Sequence, residues 1–262
     1  MWSENLRKTS PRTINMNILR IRHLVSPLIS LTLVSSAWPQ DAVFQWPSDE
    51  SKGSLASHVS PPKVETGEFG SAQSLFFHVT DPSQNPGEAT FLEAALEPGA
   101  ISELTISLFI KPEESQGNED LVTSKSDTAP NGFRLRKSWN RWGLDLGDGS
   151  HSEITFLNNP SANLDIHSWQ HIAVTFKEGK IAFYKNGALI EENESPITQI
   201  ALTPENKTLR VGAGLGTPPS VWNGFHGSIA AFSIFLRALT PAEMESLYEK
   251  ENPERQTFAN PK

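Results

Sequence analysis

Between Gln170 and Phe176 the chain alternates. Ile172, Val174 and Phe176 fall on one side, and Trp169, His171, Ala173 and Thr175 on the other. A period of two is that of a β-strand. Glu178-Gly179 breaks the run, Ile181–Lys185 resumes it, and Asn186-Gly187 follows. Asn-Gly is the strongest short hairpin signal, because a type I′ turn needs two residues that tolerate φ > 0. Ala188-Leu189-Ile190 opens a third strand. The stretch predicts an antiparallel meander that fixes its own register.

Shorter patterned runs flank this meander. Ala42–Trp46 reads as a first strand, before a Ser/Pro/Gly-rich loop that reaches Pro62. Leu75-Phe76-Phe77 and Thr90–Leu96 are strand candidates, separated by a turn-rich stretch with Asp81-Pro82 and Asn85-Pro86-Gly87. Leu104 to Ile110 alternates and stops at Pro112, which cannot donate to a ladder. Gly132–Arg136 and Arg141–Leu146 form a further pair, and Ile154–Leu157 precedes the meander. Near the end, Thr240-Pro241-Ala242-Glu243 has the form of a capping box with Pro at N1. Met244, Leu247 and Tyr248 then make an apolar stripe at helical spacing.

Several of these runs carry a family resemblance. Trp169-x-His171-Ile-Ala173-Val-Thr-Phe, followed by a Gly turn and Ile-x-Phe-Tyr-x-Asn186-Gly187, resembles the core hairpin of laminin-G-like domains in the concanavalin A-like lectin/glucanase superfamily. Gly67-Glu-Phe69-Gly70, Leu104–Pro112, Leu121–Lys125, Leu209–Gly212, His226–Phe235 and Leu239-Thr240-x-x-Glu243-x-x-x-Leu247-Tyr248 are similar to further signatures of that group. The resemblance implies an all-β fold: a two-sheet antiparallel jelly-roll sandwich with a short C-terminal helix. It implies one domain over 42–250; the polar stretch at 251–262, with Pro253 and Pro261, reads as a flexible tail. It also implies that His171 is a packing or hydrogen-bonding residue, not a ligand. A fold alone does not name a function.

The N-terminus changes where such a domain would act. Met16 is a second possible start, and Arg20 and Arg22 form a basic region. Leu24–Val34 is largely apolar, and Ser35-Ser36-Ala37 supplies small residues for cleavage. This order is that of a signal peptide within residues 1–37, and predicts a secreted or periplasmic protein. The apolar run is well short of the roughly 18–20 residues that span a bilayer. Residues 1–37 hold five basic and one acidic residue of the chain's 22 Lys+Arg and 30 Asp+Glu, so residues 38–262 carry a formal charge of −12. That charge argues against nucleic acid and anionic membranes as partners. Cys is absent, and export without disulfides suits a bacterial protein.

The polar residues place little catalytic chemistry. A glycosidase needs two carboxylates set across a bond. The strand pattern E-x-D-x-E, or E-x-D-x-x-E, is missing. Glu192-x-Glu194 runs into Asn193 and Pro196, Glu243-x-Glu245 lies on a helix where i and i+2 diverge, and Asp145-x-x-Asp148 spans a strand end. H-E-x-x-H, G-x-S-x-G and P-loop motifs are also missing. The expectation is a protein that is not an enzyme and has no cofactor. Calcium is the metal that the resemblance implies, yet Ala230 and Ala231 stand where the family places an acid. Asp81, Asn85, Asp145 and Asp148 are the remaining oxygen donors. Asn193-Glu-Ser195 and Asn206-Lys-Thr208 match glycosylation sequons.

Two loops carry better binding chemistry. Sugar sites set an aromatic face against the apolar side of a ring, beside groups that bond its hydroxyls. Trp139-Asn140-Arg141 and Trp222-Asn223 offer this combination, whereas Trp142 heads a strand and is read as core. The expected partner is a glycan bound by Trp139, Asn140, Arg141, Trp222 and Asn223. The alternative is an extracellular or cell-surface protein, and a diverged glycoside hydrolase is the third reading.

Overall fold

The computed structural model describes residues 42–46, 62–69, 72–79, 87–125, 128–215 and 220–252. The expected signal segment, Asp81, Asn85 and the tail beyond Asn252 lie outside the described residues. In chain order the first strands are β1 (Phe44–Trp46), β2 (Lys63–Phe69), β3 (Ala72–Phe77), β4 (Gly87–Glu88), β5 (Leu92–Ala95) and β6 (Gly99–Ile101). Next come β7 (Glu103–Pro112), β8 (Asn118–Thr123), β9 (Asn131–Ser138), β10 (Arg141–Asp148), β11 (Ser152–Phe156) and β12 (Gln170–Lys177). The last are β13 (Lys180–Lys185), β14 (Ala188–Glu194), β15 (Ile200–Leu202), β16 (Thr208–Val211), β17 (Ser220–Val221) and β18 (Gly227–Phe235), before helix α1 (Pro241–Glu251).

Two antiparallel sheets form the sandwich. One runs β14-β13-β12-β7-β18-β3-β2, with β1 also paired to β18; the other runs β11-β10-β9-β8-β16-β5. The expected meander is present as β12-β13-β14. Glu178 and Gly179 (φ 46° and 91°) turn the chain first, and Asn186 and Gly187 (φ 53° and 78°) turn it again. The alternation at 170–176 has its reason in two neighbours. Ile172, Val174 and Phe176 enter the core between the sheets, while the other face of β12 meets α1 and carries Ala173 in a second apolar cluster. Thr175 lies buried on that same outer face.

The central core draws on both sheets, with Leu104, Ile106, Leu108 and Ile110 from β7 facing Phe133, Leu135, Trp142, Leu144 and Leu146 from β9 and β10. Trp142 is fully buried, donates Nε1–H to Ala162 O at 3.0 Å and meets Phe183 edge-on at 5.3 Å. A buried indole with its N–H satisfied is the favourable way to spend an aromatic in a core. Helix α1 closes the outer face of the larger sheet. Its capping box is complete: Glu243 N–H donates to the Thr240 hydroxyl, and Thr240 N–H donates to the Glu243 carboxylate.

His171 locks this closure through packing and hydrogen bonds. It is fully buried, and burial alone pushes it down to about 3, so the ring is neutral. Gly187 N–H donates to Nδ1 at 3.3 Å, which places the ring proton on Nε2, 2.9 Å from Ser107 Oγ. Its ring packs 5.1 Å from Phe109 and 5.4 Å from Tyr248 of α1.

Candidate functional site

Both candidate loops converge on one strand, β8. Trp139 and Asn140 are the two turn residues between β9 and β10, and Trp139 N–H donates to Gly117 O at 2.8 Å, at the entrance to β8. On the other side of β8, Asp120 N–H donates to Asn223 O at 2.8 Å. The two tryptophans therefore flank the first half of one strand. Both are open to solvent, Trp139 at 63% and Trp222 at 42%. Trp139 sits at φ 56° and Asn223 at φ 49°. Asn accepts that conformation, but for a bulky residue it is strained, and such strain collects at functional sites.

The strand pattern supplies a polar floor beneath this rim. Along β9, Phe133 and Leu135 enter the core, so Arg134 and Arg136 take the opposite face; along β10, Leu144 and Leu146 enter the core and Asp145 takes that face. Register then sets Asp145 opposite Arg134, and Arg136 opposite Asp120. Arg134 spans two carboxylates, 2.6 Å from Asp145 Oδ2 and 3.5 Å from Asp120 Oδ2. Arg136 Nε lies 3.3 Å from Asp120 Oδ1, and Asn223 Nδ2 donates to Asp120 Oδ2 at 3.3 Å. Further along the sheet, Arg210 bonds Glu93 through Nε at 2.9 Å and lies over the Phe91 ring at 4.2 Å. Charged pairs held this way fix geometry more than they add stability.

The five sequence-predicted residues are therefore used differently. Trp139 and Trp222 present their rings. Asn223 is buried and braces Asp120. Asn140 is half-buried, and its carbonyl accepts Leu164 N–H at 2.8 Å. Arg141 turns to its neighbours, donating to Leu157 O through Nε (3.1 Å) and Nη2 (3.0 Å) and lying 5.3 Å from the Phe156 ring. Asp120, Arg134 and Arg136 were missed. Their only sequence signal is charge at alternate positions of apolar strands, and which face meets the core is set by the second sheet.

The described carboxylates near the rim are each engaged by a cation or by backbone donors. Asp120 and Asp145 share one guanidinium. Glu119, whose carboxyl burial pushes up to about 7, is held at 2.7 Å by the buried ammonium of Lys137. Asp148 caps its own turn, accepting Ser150 N–H at 2.7 Å and His151 N–H at 2.6 Å. Ala230 is buried against Phe69 and Phe109. Among the described residues no three His, Asp or Glu side chains stand together as a metal site, and no helix is long and apolar enough to cross a membrane.

This architecture has known counterparts. A laminin G family model described as the concanavalin A-like lectin/glucanases superfamily matches residues 86–245. No curated protein matches the chain by sequence. Among solved structures, the binding domain of botulinum neurotoxin serotype G is similar over 79% of this chain and 50% of its own, at 18% identity and TM-score 0.57. The serotype D ligand-binding domain, solved in complex with N-acetylneuraminic acid, is similar over 77% and 47%, at 15% identity and TM-score 0.54. A heptameric SAP-like pentraxin from Limulus polyphemus is similar over 67% and 81%, at 18% identity and TM-score 0.49. The chain thus spans about half the length of the neurotoxin binding domains, and with the family match covering more than half of its own residues, it belongs to the concanavalin A-like lectin/glucanases superfamily.

Proposed function

We propose that this protein is a non-catalytic module that binds carbohydrate outside the cytoplasm, at the rim built by Trp139 and Trp222. One observation carries the reading: two solvent-open tryptophans stand beside β8, Trp139 bonded to Gly117 just before the strand and Trp222 next to Asn223, which is bonded to Asp120, and Trp139 holds a backbone conformation that costs stability. An indole face stacks on the apolar side of a sugar ring, and neighbouring charged and amide groups bond its hydroxyls. Arg136, half-buried beside the rim, is the group placed to bond hydroxyls, and the buried Asp120–Asn223 pair holds it from behind. That a neighbour of this fold was solved with N-acetylneuraminic acid supports the fold as a carrier of sugar sites. The placement outside the cytoplasm rests on the signal-like segment at 1–37.

The non-catalytic reading rests on the carboxylates. Each buried acid near the rim is engaged by Arg134, Arg136 or Lys137, whereas a glycosidase needs one free acid and one free base or nucleophile. A glycan-array screen of the full chain, with calcium and with EDTA, tests the proposal. Binding to a defined glycan class, lost in Trp139→Ala and Trp222→Ala at unchanged thermal stability, is the expected result. Binding that survives both substitutions removes the rim as the site.

A further inference from the structure

A second surface lies on the other sheet. β14 ends the strand order of that sheet, with β13 as its neighbour, and α1 lies across the adjoining face. Between helix and hairpin run two cavities that meet at Pro241. One, of about 440 Å³, is lined by Asn186–Leu189 on the hairpin and by Pro241, Ala242, Glu245, Tyr248 and Glu249 on the helix. The other, of about 420 Å³, continues over Tyr184, Ala182, Glu192 and Glu194. Each falls in the size range of ligand sites.

The groove has apolar footing and acidic walls. Leu189, directly across from Tyr184, is 44% exposed, and Pro241 and Ala242 face it from the first turn of α1. Glu245 and Glu249 follow at i and i+4 along one helix wall, with Glu192 and Glu194 along the strand. The cations of the groove, Lys177 and Lys180, are fewer, and Lys177 already holds Glu103 at 2.9 Å. The floor is rigid: a Cβ on Gly187 would lie 2.7 Å from the Tyr248 ring, so hairpin and helix touch directly there.

These features select the occupant. Pairing β14 with a second copy would set Glu191, Glu192 and Glu194 against the same acids, on a chain of net charge −8; charged edges of this kind prevent self-association. The same charges fit a partner rich in Lys or Arg, whose aliphatic stems lie on apolar surface while their heads seek carboxylates. We propose that the groove between α1 and β14 is a docking site for a basic peptide segment, its side-chain stems on Leu189, Pro241 and Ala242 and its cationic heads at Glu192, Glu245 and Glu249. This site is separate from the Trp139–Trp222 rim and does not depend on glycan binding.

Fluorescence anisotropy with labelled octalysine, against the full chain at low and physiological salt, tests it. The Glu245→Lys/Glu249→Lys double variant is compared with Glu97→Lys/Glu153→Lys, which makes the same charge change at exposed acids outside the groove lining. We expect the groove variant to weaken binding about 10-fold or more and the control less than about 2-fold, since nearby charges act at contact distance and distant ones are screened. Glu192→Lys reaches the same groove from the hairpin, and Leu189→Asn removes the apolar footing without changing charge; each should weaken binding independently of any change in α1. Equal losses in groove and control variants would reveal a general field effect and overturn the site, as would an absence of octalysine binding by the parent protein.

Discussion

The ammonium of Lys137, fully buried, lies 2.7 Å from Glu119 Oε1 across the β8–β9 ladder. It sits between the two contacts that carry the rim, next to Gly117, which holds Trp139, and Asp120, which is bonded to Asn223. Lys137 lies on the same face of β9 as the core residues Phe133 and Leu135, so this ion pair is set at the end of an apolar row. Such a pair contributes little net stability, but removing one partner strands the other charge. Lys137→Met should therefore cost about 3–5 kcal/mol in urea denaturation above about pH 7, where the Glu119 carboxyl is ionised in the parent protein. Adding Glu119→Leu to that variant should recover most of the loss. If the double variant is no more stable than Lys137→Met, the pair is not what the single substitution breaks.

Four groups, two of them buried and two half-buried, set the pH dependence near neutrality, and their signs differ. Burial raises the carboxyls of Glu119 to about 7, against the pull of Lys137, and of Glu251 to about 8, beside Lys250 and the Ser233 hydroxyl. The folded protein keeps both protons at a pH where the unfolded chain has lost them. Their contribution is fully present below the ordinary carboxylate range and is lost as pH rises through the folded values. His171, lowered to about 3, and His226, lowered chiefly by burial, act in the opposite sense. They stabilise above the ordinary imidazole range, and that contribution fades as pH falls. Between about pH 4.5 and 6.5 the two sets oppose each other, and above 6.5 the carboxyls act alone. Stability should then fall by about 2 kcal/mol from pH 6.5 to 8, at 1.36 kcal/mol per unit and proton. Denaturation at both pH values reads this directly, and Glu251→Gln should remove most of the slope.

The hinge of the meander offers a steric test. Gly187, at φ 78°, leaves no room for a Cβ beside Tyr248. Gly187→Ala should destabilise by about 1–3 kcal/mol, combining left-handed backbone strain with displacement of α1. The displacement has its own signature, since Tyr248 packs on Phe109 and His171, and its fluorescence or ring proton shifts should move. A loss of stability with Tyr248 unmoved would assign the cost to the backbone alone.

The meander and the capped helix were legible because their signals are local. Asn186-Gly187 turns the chain regardless of its surroundings, and Thr240 meets Glu243 three residues on. The candidate site was legible only in part, for the opposite reason. Nothing near Arg141 in sequence says that Leu157 and Asn158, 16 and 17 residues later, come back to take its guanidinium. Likewise Asn223 braces Asp120 across 103 residues. Exposed tryptophan beside Asn is a composition signal and needs no partner, so Trp139 and Trp222 could be picked from the chain. The charged floor depends on which face of β9 and β10 meets a core, and that requires the second sheet.

Trp139 allows stability and binding to be separated. Its φ of 56° is one that glycine adopts freely and a bulky residue resists. Its ring is largely solvent-exposed, so truncation forfeits little packing. Trp139→Gly should therefore leave thermal stability unchanged or raise it by up to about 1 kcal/mol, while abolishing glycan binding at the rim. Trp139→Ala, which loses the ring but keeps a Cβ in the left-handed region, should lose the same binding without that gain. A fall in stability with Trp139→Gly would mean that the indole is structural, packed as a lid on the β9–β10 turn, and would move the sugar site away from this end of β8.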